Sequence, residues 1–539
     1  MKKKWIVWTI LVLLTGLYVF FAAPNLNPLY SDGGFFWAAL ISIYAIVGML
    51  LNLGVSASSF TNGQFPVEDL KRKKSAKVWL IILATIWGLY FLMNIISAPL
   101  FHYTAYRDQM KQPVAKEFSS EVQMLDASQV PVVDKELAKI LADRKLGEKP
   151  SLGSQVVLGD PTIQNVGGEL IWAIPLHHSG FFKWFVNMDG ADGYIIVSAT
   201  NPQDVEYVDD YKIKIQPNSY LLFDLERKAR FSDGLFTGMV DYSFELDDNR
   251  VPYWVVTTYK NEWLYSLKEA SGIILINAST GETSRHGLDD VPDWVDRVQP
   301  EAFIMNQIDN QGEYVKGVFN FSNSGKFRTS PGDIIVYNNG RCYLFTGITS
   351  VGVDQSTIGF YMVDMVTKEA SMYQISGATE NAAMESAEGK VQDLGYVATF
   401  PLILNVDGQP TYFMTLKDNA GLIKKYAFVS VKDFMLVGVG DTMGAAMKDY
   451  RALMKSQGSQ GIAPEVGETK SEKGVVDRIA SETIGGNTMY LFTLLEDESK
   501  AIYRAAASVS DELALTISGD AVSFGALSND DNVVEITAF

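Results

Sequence analysis

Three long apolar runs near the start of the chain constrain its fold more than any other feature. They are Trp5–Ala23, Phe35–Leu53 and Val78–Ile96, and the last contains no charged residue. A helix rising about 1.5 Å per residue needs roughly 20 such residues to cross about 30 Å of hydrocarbon. The runs therefore predict a three-helix membrane anchor at residues 1–98, which binds the lipid bilayer.

Basic residues predict the orientation of these helices. Lys2–Lys4 and Lys71–Lys77 fall on one side if the chain crosses three times, and the 24–33 loop has no Lys or Arg. This positive-inside pattern places the N-terminus and the 54–77 loop in the cytoplasm. A multi-pass plasma-membrane protein with residues 99–539 extracytoplasmic follows. The first run resembles a signal peptide in its basic start, but its length exceeds the usual core of about 7–15 residues, which favours an uncleaved helix.

Charge and cysteine content narrow the classes of partner. The chain carries −18 overall and residues 1–98 carry +5, so residues 99–539 carry −23. Such an acidic surface repels phosphates, which argues against nucleic acid and against electrostatic docking onto anionic lipid. With a single cysteine, Cys342, no intrachain disulfide can form, and we interpret that residue as a small core side chain.

A unit of one amphipathic helix and an antiparallel hairpin recurs along the ectodomain, so we predict an α+β fold. Glu380–Leu394 is the clearest helix, and strands follow it at Val397–Val406, Thr411–Lys417 and Lys425–Val431. Asp-Gly between two apolar runs is a strong hairpin signal. The predicted order is a stalk at 99–133, modules at 134–215, 216–298, 299–378 and 379–456, a linker at 457–473 and a small barrel at 474–539.

Two of these units resemble a known family. Residues 380–437 and residues 219–283, which end in Asn277–Glu282, are similar to PepSY-type modules, cystatin-like α+β units of bacterial envelope proteins. The first and third units match more loosely, with Pro202 or Thr367-Lys368 where Thr-Gly is expected. The resemblance implies binding or inhibition of partners and no catalytic residues. The three-span arrangement also resembles a membrane-anchored envelope family of Gram-positive bacteria, a resemblance that implies no activity.

The C-terminal block predicts five strands with a short helical piece at Val509–Leu513 between the third and fourth. That order suggests a small OB-like barrel. Its few Lys and Arg residues make a groove for a phosphate backbone unexpected.

Three motifs invite a sharper interpretation. His177-His178 is a histidine pair, but neighbours on a strand face opposite ways, so we expect surface or loop residues and no metal site. Asn187–Gly193 lacks the ligand spacing of a calcium loop and predicts a turn. Asp289–Arg297 holds four carboxylates and Trp294. There we favour a buried Trp with an Asp–Arg pair over paired glycosidase acids.

One polar segment is the best candidate for a binding face. Residues 346–357 predict a connector with a single charge and no histidine to activate a nucleophile. The candidate binding residues are Thr346, Thr349, Ser350, Asp354, Ser356 and Thr357.

These observations favour a non-catalytic, membrane-anchored binding or scaffold protein of the bacterial cell envelope, without cofactor. Its partner would be another envelope protein or the cell wall, and the membrane helices could self-associate into a homo-oligomer. Two alternatives stay open. One is a cell-wall or peptide hydrolase using dispersed carboxylates near residues 289–296, and the other is a structural subunit of a membrane complex.

Overall fold

The computed structural model describes most of the chain. The described ranges are 2–53, 74–118, 130–332, 334–338, 340–351, 356–456, 469–484, 487–495, 501–506, 510–527 and 533–538. The 54–73 part of the basic loop, residues 119–129 of the predicted stalk, residues 457–468 of the predicted linker and Val509 lie outside them.

Three helices among these residues are long and apolar enough to cross a membrane. They are α1 (Lys2–Ala22), α2 (Ser31–Leu53) and α3 (Lys74–Ile96). Their apolar side chains are largely exposed, a pattern compatible with membrane spans. The chain breaks after α3 and begins α4 (Pro99–Asp108) with a proline in its first turn.

The chain divides into two compact units, which are described separately. The first comprises Met1–Lys116, Ser128–Asp354 and Ile358–Gln374, and the second comprises Glu117–Ala127, Gln355–Thr357 and Ile375–Phe539. The four predicted module boundaries and the linker stay predictions.

The first sheet of the first unit is antiparallel and has the order β2-β4-β5-β6, with β3 also paired to β4. Asp134 caps the helix that precedes it by accepting from the Leu137 amide at 2.9 Å. The elements are α5 (Lys135–Gly147), α6 (Pro150–Gly153), β2 (Val156–Leu158), β3 (Thr162–Val166), β4 (Glu169–His178), α7 (Phe181–Val186), β5 (Ala191–Ser198) and β6 (Val205–Ile213).

The second sheet has the order β10-β9-β8-β7 and shares an apolar core with the first. Tyr194 of the first sheet packs with Phe244 and Trp254 of the second in that core. The elements are α8 (Leu225–Ala229), β7 (Gly238–Leu246), β8 (Pro252–Trp263), β9 (Ser266–Asn277) and β10 (Thr283–Gly287).

The helix predicted at Tyr220–Arg230 is wrong as a continuous element. Leu221–Phe223 forms a 3-10 turn, and a π turn at Arg230–Gly234 follows α8. The physical reason is Asp224, whose extended backbone and side-chain bond to the Arg227 amide at 2.9 Å start a new helix within the predicted one. Only five residues of α-helix remain.

The third sheet has the order β1-β15-β14-β13-β11, and β12 also pairs with β13. Helix α9 contributes Ile304 and Ile308 to its core, which also contains Cys342. The expected core position of this cysteine is therefore confirmed. The elements are β1 (Val114–Lys116), α9 (Glu301–Glu313), β11 (Phe327–Thr329), β12 (Ile334–Asn338), β13 (Arg341–Ser350), β14 (Ser356–Asp364) and β15 (Ala370–Tyr373).

The second unit contains the fourth sheet, in the order β17-β19-β20-β21 with β18 on β19. The predicted hairpin at Asp407-Gly408 is confirmed, because β18 and β19 pair across it. The first helix ends at Lys390, earlier than predicted. Before this sheet, β16 (Gly377–Ala378) pairs with Ser356 and Thr357. The elements of the sheet are α10 (Glu380–Lys390), β17 (Val397–Ala398), β18 (Leu402–Val406), β19 (Gln409–Lys417), β20 (Ile423–Ser430), β21 (Val437–Gly440) and α11 (Met443–Ser456).

Five further strands of this unit pair in a closed ring, β22-β23-β24-β26-β25, around a core that includes Phe492, Tyr503 and Phe524. A 3-10 turn at Asp511–Ala514 lies between the third and fourth strands, where the sequence predicts a helical piece. The strands are β22 (Thr469–Ile484), β23 (Asn487–Leu494), β24 (Ile502–Ala506), β25 (Ala521–Leu527) and β26 (Val533–Ala538).

Candidate functional site

The predicted polar connector at 346–357 is wrong as a loop. Thr346, Thr349 and Ser350 lie in β13, a central strand of the third sheet, and Thr346 and Thr349 are buried. This segment forms a strand because the backbone of β13 is paired on both of its edges. Thr349 pairs with Arg328 of β11 on one edge, and β14 lies along the other. Ser356 and buried Thr357 begin β14, and Asp354 lies outside the described residues. A binding role for this set stays a prediction.

The histidine pair also differs from expectation. His177 and His178 end β4 instead of lying in a loop, and both are partly buried with their Nε2 atoms enclosed and without a hydrogen-bond partner. Burial lowers the pKa of His177 to about 4, so this imidazole is neutral at neutral pH. Among the described residues no group of three or more His, Cys, Asp or Glu side chains is placed to hold a metal.

The acidic segment 289–297 separates into an exposed part and a buried part. Asp289, Asp290 and Asp293 are exposed, while Asp296 is buried. Trp294 is half-buried with its ring centroid 5.2 Å from that of Tyr253. In place of the expected Asp–Arg pair, Arg297 forms an ion pair with Glu301, with Arg297 Nη1 lying 3.3 Å from Glu301 Oε1.

Asp296 joins the first and third sheets. Its Oδ2 accepts hydrogen bonds from the Asn165 amide of β3 at 2.7 Å and from the Tyr337 hydroxyl of β12 at 3.0 Å. Glu245 of β7 is buried close enough for the charges of Asp296 and Arg297 to act on its carboxyl. We call Asp296, Glu245, Arg297, Tyr337 and Cys342 the buried junction. Sequence spacing could not reveal it, although a charged pair enclosed by Val295 and Val298 indicates burial.

Glu245 is the least satisfied member of the buried junction. It is fully buried, its Oε1 accepts from the Ser243 hydroxyl at 2.6 Å, and its Oε2 has no partner. Burial raises the pKa of Glu245 to about 7, although nearby Arg297 acts in the opposite direction. The carboxyl therefore changes charge near neutral pH.

The Cys342 thiol and the Tyr337 hydroxyl of the junction are held in their protonated forms. Burial raises the pKa of the Cys342 thiol and raises that of Tyr337 well above its usual value. Because the thiolate is the nucleophilic form of cysteine, this thiol is unreactive at neutral pH. The hydrogen bonds of Asp296 to Asn165 and Tyr337 therefore suit a structural link between sheets.

A second cluster binds the ends of the apolar helices to α8, to the π turn after it and to the second sheet. Arg227 Nε donates to the Phe20 carbonyl at 2.8 Å and its Nη2 to the Phe21 carbonyl at 3.0 Å. Arg230 Nε donates to the Ala23 carbonyl at 3.1 Å. These carbonyls end α1 and would otherwise lack intrahelical partners. The two arginines thus cap the C-terminal end of α1.

The hairpin between β8 and β9 binds the other helix ends. The Tyr30 hydroxyl, just before α2, donates to the Tyr259 carbonyl at 2.8 Å. The Tyr265 amide donates to Ser97 Oγ, just after α3, at 3.1 Å. We call these contacts and the two arginine caps the helix collar. The second sheet therefore binds one end of α2 and of α3, while α8 and the π turn bind one end of α1.

Comparisons with known proteins add no family. No family model matches the chain, and no curated protein matches it. A mutant of B. megaterium levansucrase aligns at 11% identity with a TM-score of 0.19, over 80% of this chain and 94% of its own. An α-L-arabinofuranosidase from Lactobacillus brevis aligns at 13% identity with a TM-score of 0.17, over 50% and 70%. Scores this low do not indicate a shared fold.

Proposed function

We propose that the protein is a non-catalytic binding or scaffold protein of the bacterial envelope, anchored by α1–α3 with residues 99–539 outside the cell. The helix collar carries this proposal. Because it bonds one end of each apolar helix to the second sheet or to the α8 segment before that sheet, the first unit would be presented on the membrane in a fixed orientation. Fixed presentation suits a surface that recruits a neighbouring protein or the cell wall.

Further features support particular parts of the proposal. The barrel order β22-β23-β24-β26-β25, with β24 and β26 parallel, favours the OB-like assignment. The helix-plus-hairpin arrangement of α10 and β17–β21 favours the PepSY-like assignment, in which the modules bind partners. Asp296 of the buried junction uses its carboxylate to hold the first and third sheets together, which favours a scaffold over the hydrolase alternative.

Crosslinking on intact cells tests this function. A membrane-impermeant, lysine-reactive crosslinker applied to cells expressing the full chain should give a discrete adduct with an envelope component. The double variant Arg227→Ala, Arg230→Ala should stay in the membrane but give less of that adduct, because its ectodomain is no longer held at the helix ends. An adduct of two copies would favour the oligomeric subunit instead. Failure of the reagent to reach the ectodomain would contradict the proposed orientation.

A further inference from the structure

A group of large apolar side chains stands exposed beside the helix collar. Phe182, Phe185 and Val186 of α7 are 79%, 60% and 86% exposed. Leu222 and Phe236 are 63% and 60% exposed. We call these five residues the apolar shelf. Contiguous exposed apolar surface on a folded protein indicates an interaction site.

Buried aromatic contacts give the shelf a defined shape. Trp184 of α7 is buried, and its ring centroid lies 5.1 Å from that of Tyr220 and 5.7 Å from that of Phe223. Phe181 also packs against Tyr220, at 5.1 Å. Because these rings hold α7 against the 220–223 turn, Phe182 and Leu222 are presented from one supported surface.

The shelf is continuous with the end of α1. Arg227 binds both the Leu221 carbonyl and the Phe20 carbonyl. Phe231 stacks on Phe20 with centroids 6.1 Å apart. Beside Phe236, the Leu235 carbonyl accepts from the Leu26 amide at 2.9 Å, and the Phe236 carbonyl accepts from Asn27. The shelf thus lies where α1 would leave the hydrocarbon.

From this continuity we propose that the apolar shelf inserts into the outer leaflet of the bilayer that α1–α3 cross. The inference rests on the proposed membrane anchor. Phenylalanine and leucine side chains of interfacial segments enter the boundary of headgroups and acyl chains, about 5–10 Å deep. Lys183 is the charged residue of α7, so the contact is apolar and does not need anionic lipid, in keeping with the acidic ectodomain.

Spin labels on the full chain in phosphatidylcholine nanodiscs test the inference. Phe182→Cys and Phe236→Cys report on the shelf, and Leu13→Cys reports on the middle of α1. Asn249→Cys is the matched control, because it lies in the exposed turn at the opposite end of β7, about 30 Å along the strand. The unaltered chain is the labelling blank, since Cys342 is buried.

The collision rates of the labels with oxygen and with a water-soluble nickel complex give their depth. We expect the labels at 182 and 236 to lie about 5–10 Å below the phosphates, the label at 13 near the bilayer centre and the label at 249 in water. A label at 13 in lipid with either shelf label in water would overturn the inference and leave the anchor intact. A label at 13 in water would overturn both. Lipid contact at 249 would also overturn the inference, because lipid contact would then not be specific to the apolar shelf.

Discussion

The second and fourth sheets lie in the two segments that the sequence predicts to form the same kind of module, but they cover their faces differently. In the fourth, the chain's own helices pack on the sheet, with Tyr450 of α11 beside Phe428 and hydrogen-bonded to Thr411. In the second, the predicted helix is reduced to α8, which has five residues. The first sheet covers one face there, and Val295 and Val298 cover the other. The comparison teaches that one sequence pattern serves both a self-contained sheet and a sheet that depends on its neighbours.

The largest effect is expected where the fourth sheet meets its own helix. A Cβ on Gly438 would lie 2.3 Å from the Tyr450 backbone nitrogen and 2.5 Å from its Cα. Gly438→Val should therefore displace α11 and destabilise this sheet by more than about 4 kcal/mol. Hydrogen exchange of the α11 and β21 amides in the full chain measures this.

Gly444→Ala is the matched control on α11. Nothing lies within 4 Å of an added Cβ there, so the better helix former should stabilise α11 by about 0.5–1 kcal/mol. Unchanged protection of α11 in Gly438→Val would show that the fourth sheet does not depend on this close approach.

The second sheet should instead depend on pH through Glu245. Its pKa is raised from 4.5 to about 7 in the folded state, so its favourable contribution is complete below about pH 4.5 and is lost as pH rises through 7. At about 1.36 kcal/mol per pKa unit, the loss is at most about 3 kcal/mol. Arg297, Asp296 and Cys342 are the ionisable groups acting on this carboxyl.

Glu245→Gln tests that dependence because the carboxamide does not titrate. Exchange protection of β7 and β8, corrected for intrinsic exchange rates, should fall between pH 5 and pH 8 in the unaltered chain and much less in the variant. Glu262→Gln, on an exposed part of β8, should keep the original slope. Equal slopes for all three chains would mean that Glu245 does not ionise in this range.

The helix collar should contribute less than either core. Arg227→Ala removes charged hydrogen bonds to the Phe20, Phe21 and Leu221 carbonyls, so we expect a loss of about 2 kcal/mol, seen as faster proteolysis of the 22–30 loop. Arg285→Ala removes one bond from an exposed arginine and should change stability by less than about 0.5 kcal/mol. Similar proteolysis rates for the two variants would show that the arginine contacts of the helix collar contribute little to stability.

The smallest effect is expected at the start of α10, whose counterpart beside the second sheet is the much shorter α8. The Thr379 hydroxyl accepts from the Ala382 amide at 3.3 Å. Thr379→Ala should cost about 1 kcal/mol, measured by exchange of the first-turn amides, and Thr379→Ser should retain most of the cap. A serine variant as unstable as the alanine variant would assign the effect to packing of the methyl group.

Local patterns in the sequence predict the elements whose causes are local. The apolar runs predict α1–α3, and Asp407-Gly408 predicts the β18–β19 hairpin. Contacts between residues far apart in the sequence are harder to predict. Asp296 and Asn165, for example, are 131 residues apart and come together only in the folded chain. The 346–357 segment misleads because its threonines, polar by composition, lie in a central strand whose backbone is paired on both edges.

The shelf and the collar escaped sequence analysis for a related reason. Arg227 and Arg230 resemble ordinary surface residues of a helix, and the carbonyls that they bind are invisible in a sequence. Phe181–Val186 resembles a strand or a core segment until its exposure is known. A cluster of phenylalanines next to a predicted turn is the signal that could have indicated a lipid-facing surface.

The arginine caps on α1 have a mechanical consequence. If α1 crosses the bilayer as proposed, its last carbonyls are bound by arginines at the bilayer surface, so that α1 can neither slide along its axis nor tilt freely without breaking charged hydrogen bonds. In membranes of different thickness, the surrounding lipid would therefore have to stretch or compress to match α1, because tilting of the helix is restricted. Such a protein would favour membranes whose hydrocarbon thickness matches its own fixed length.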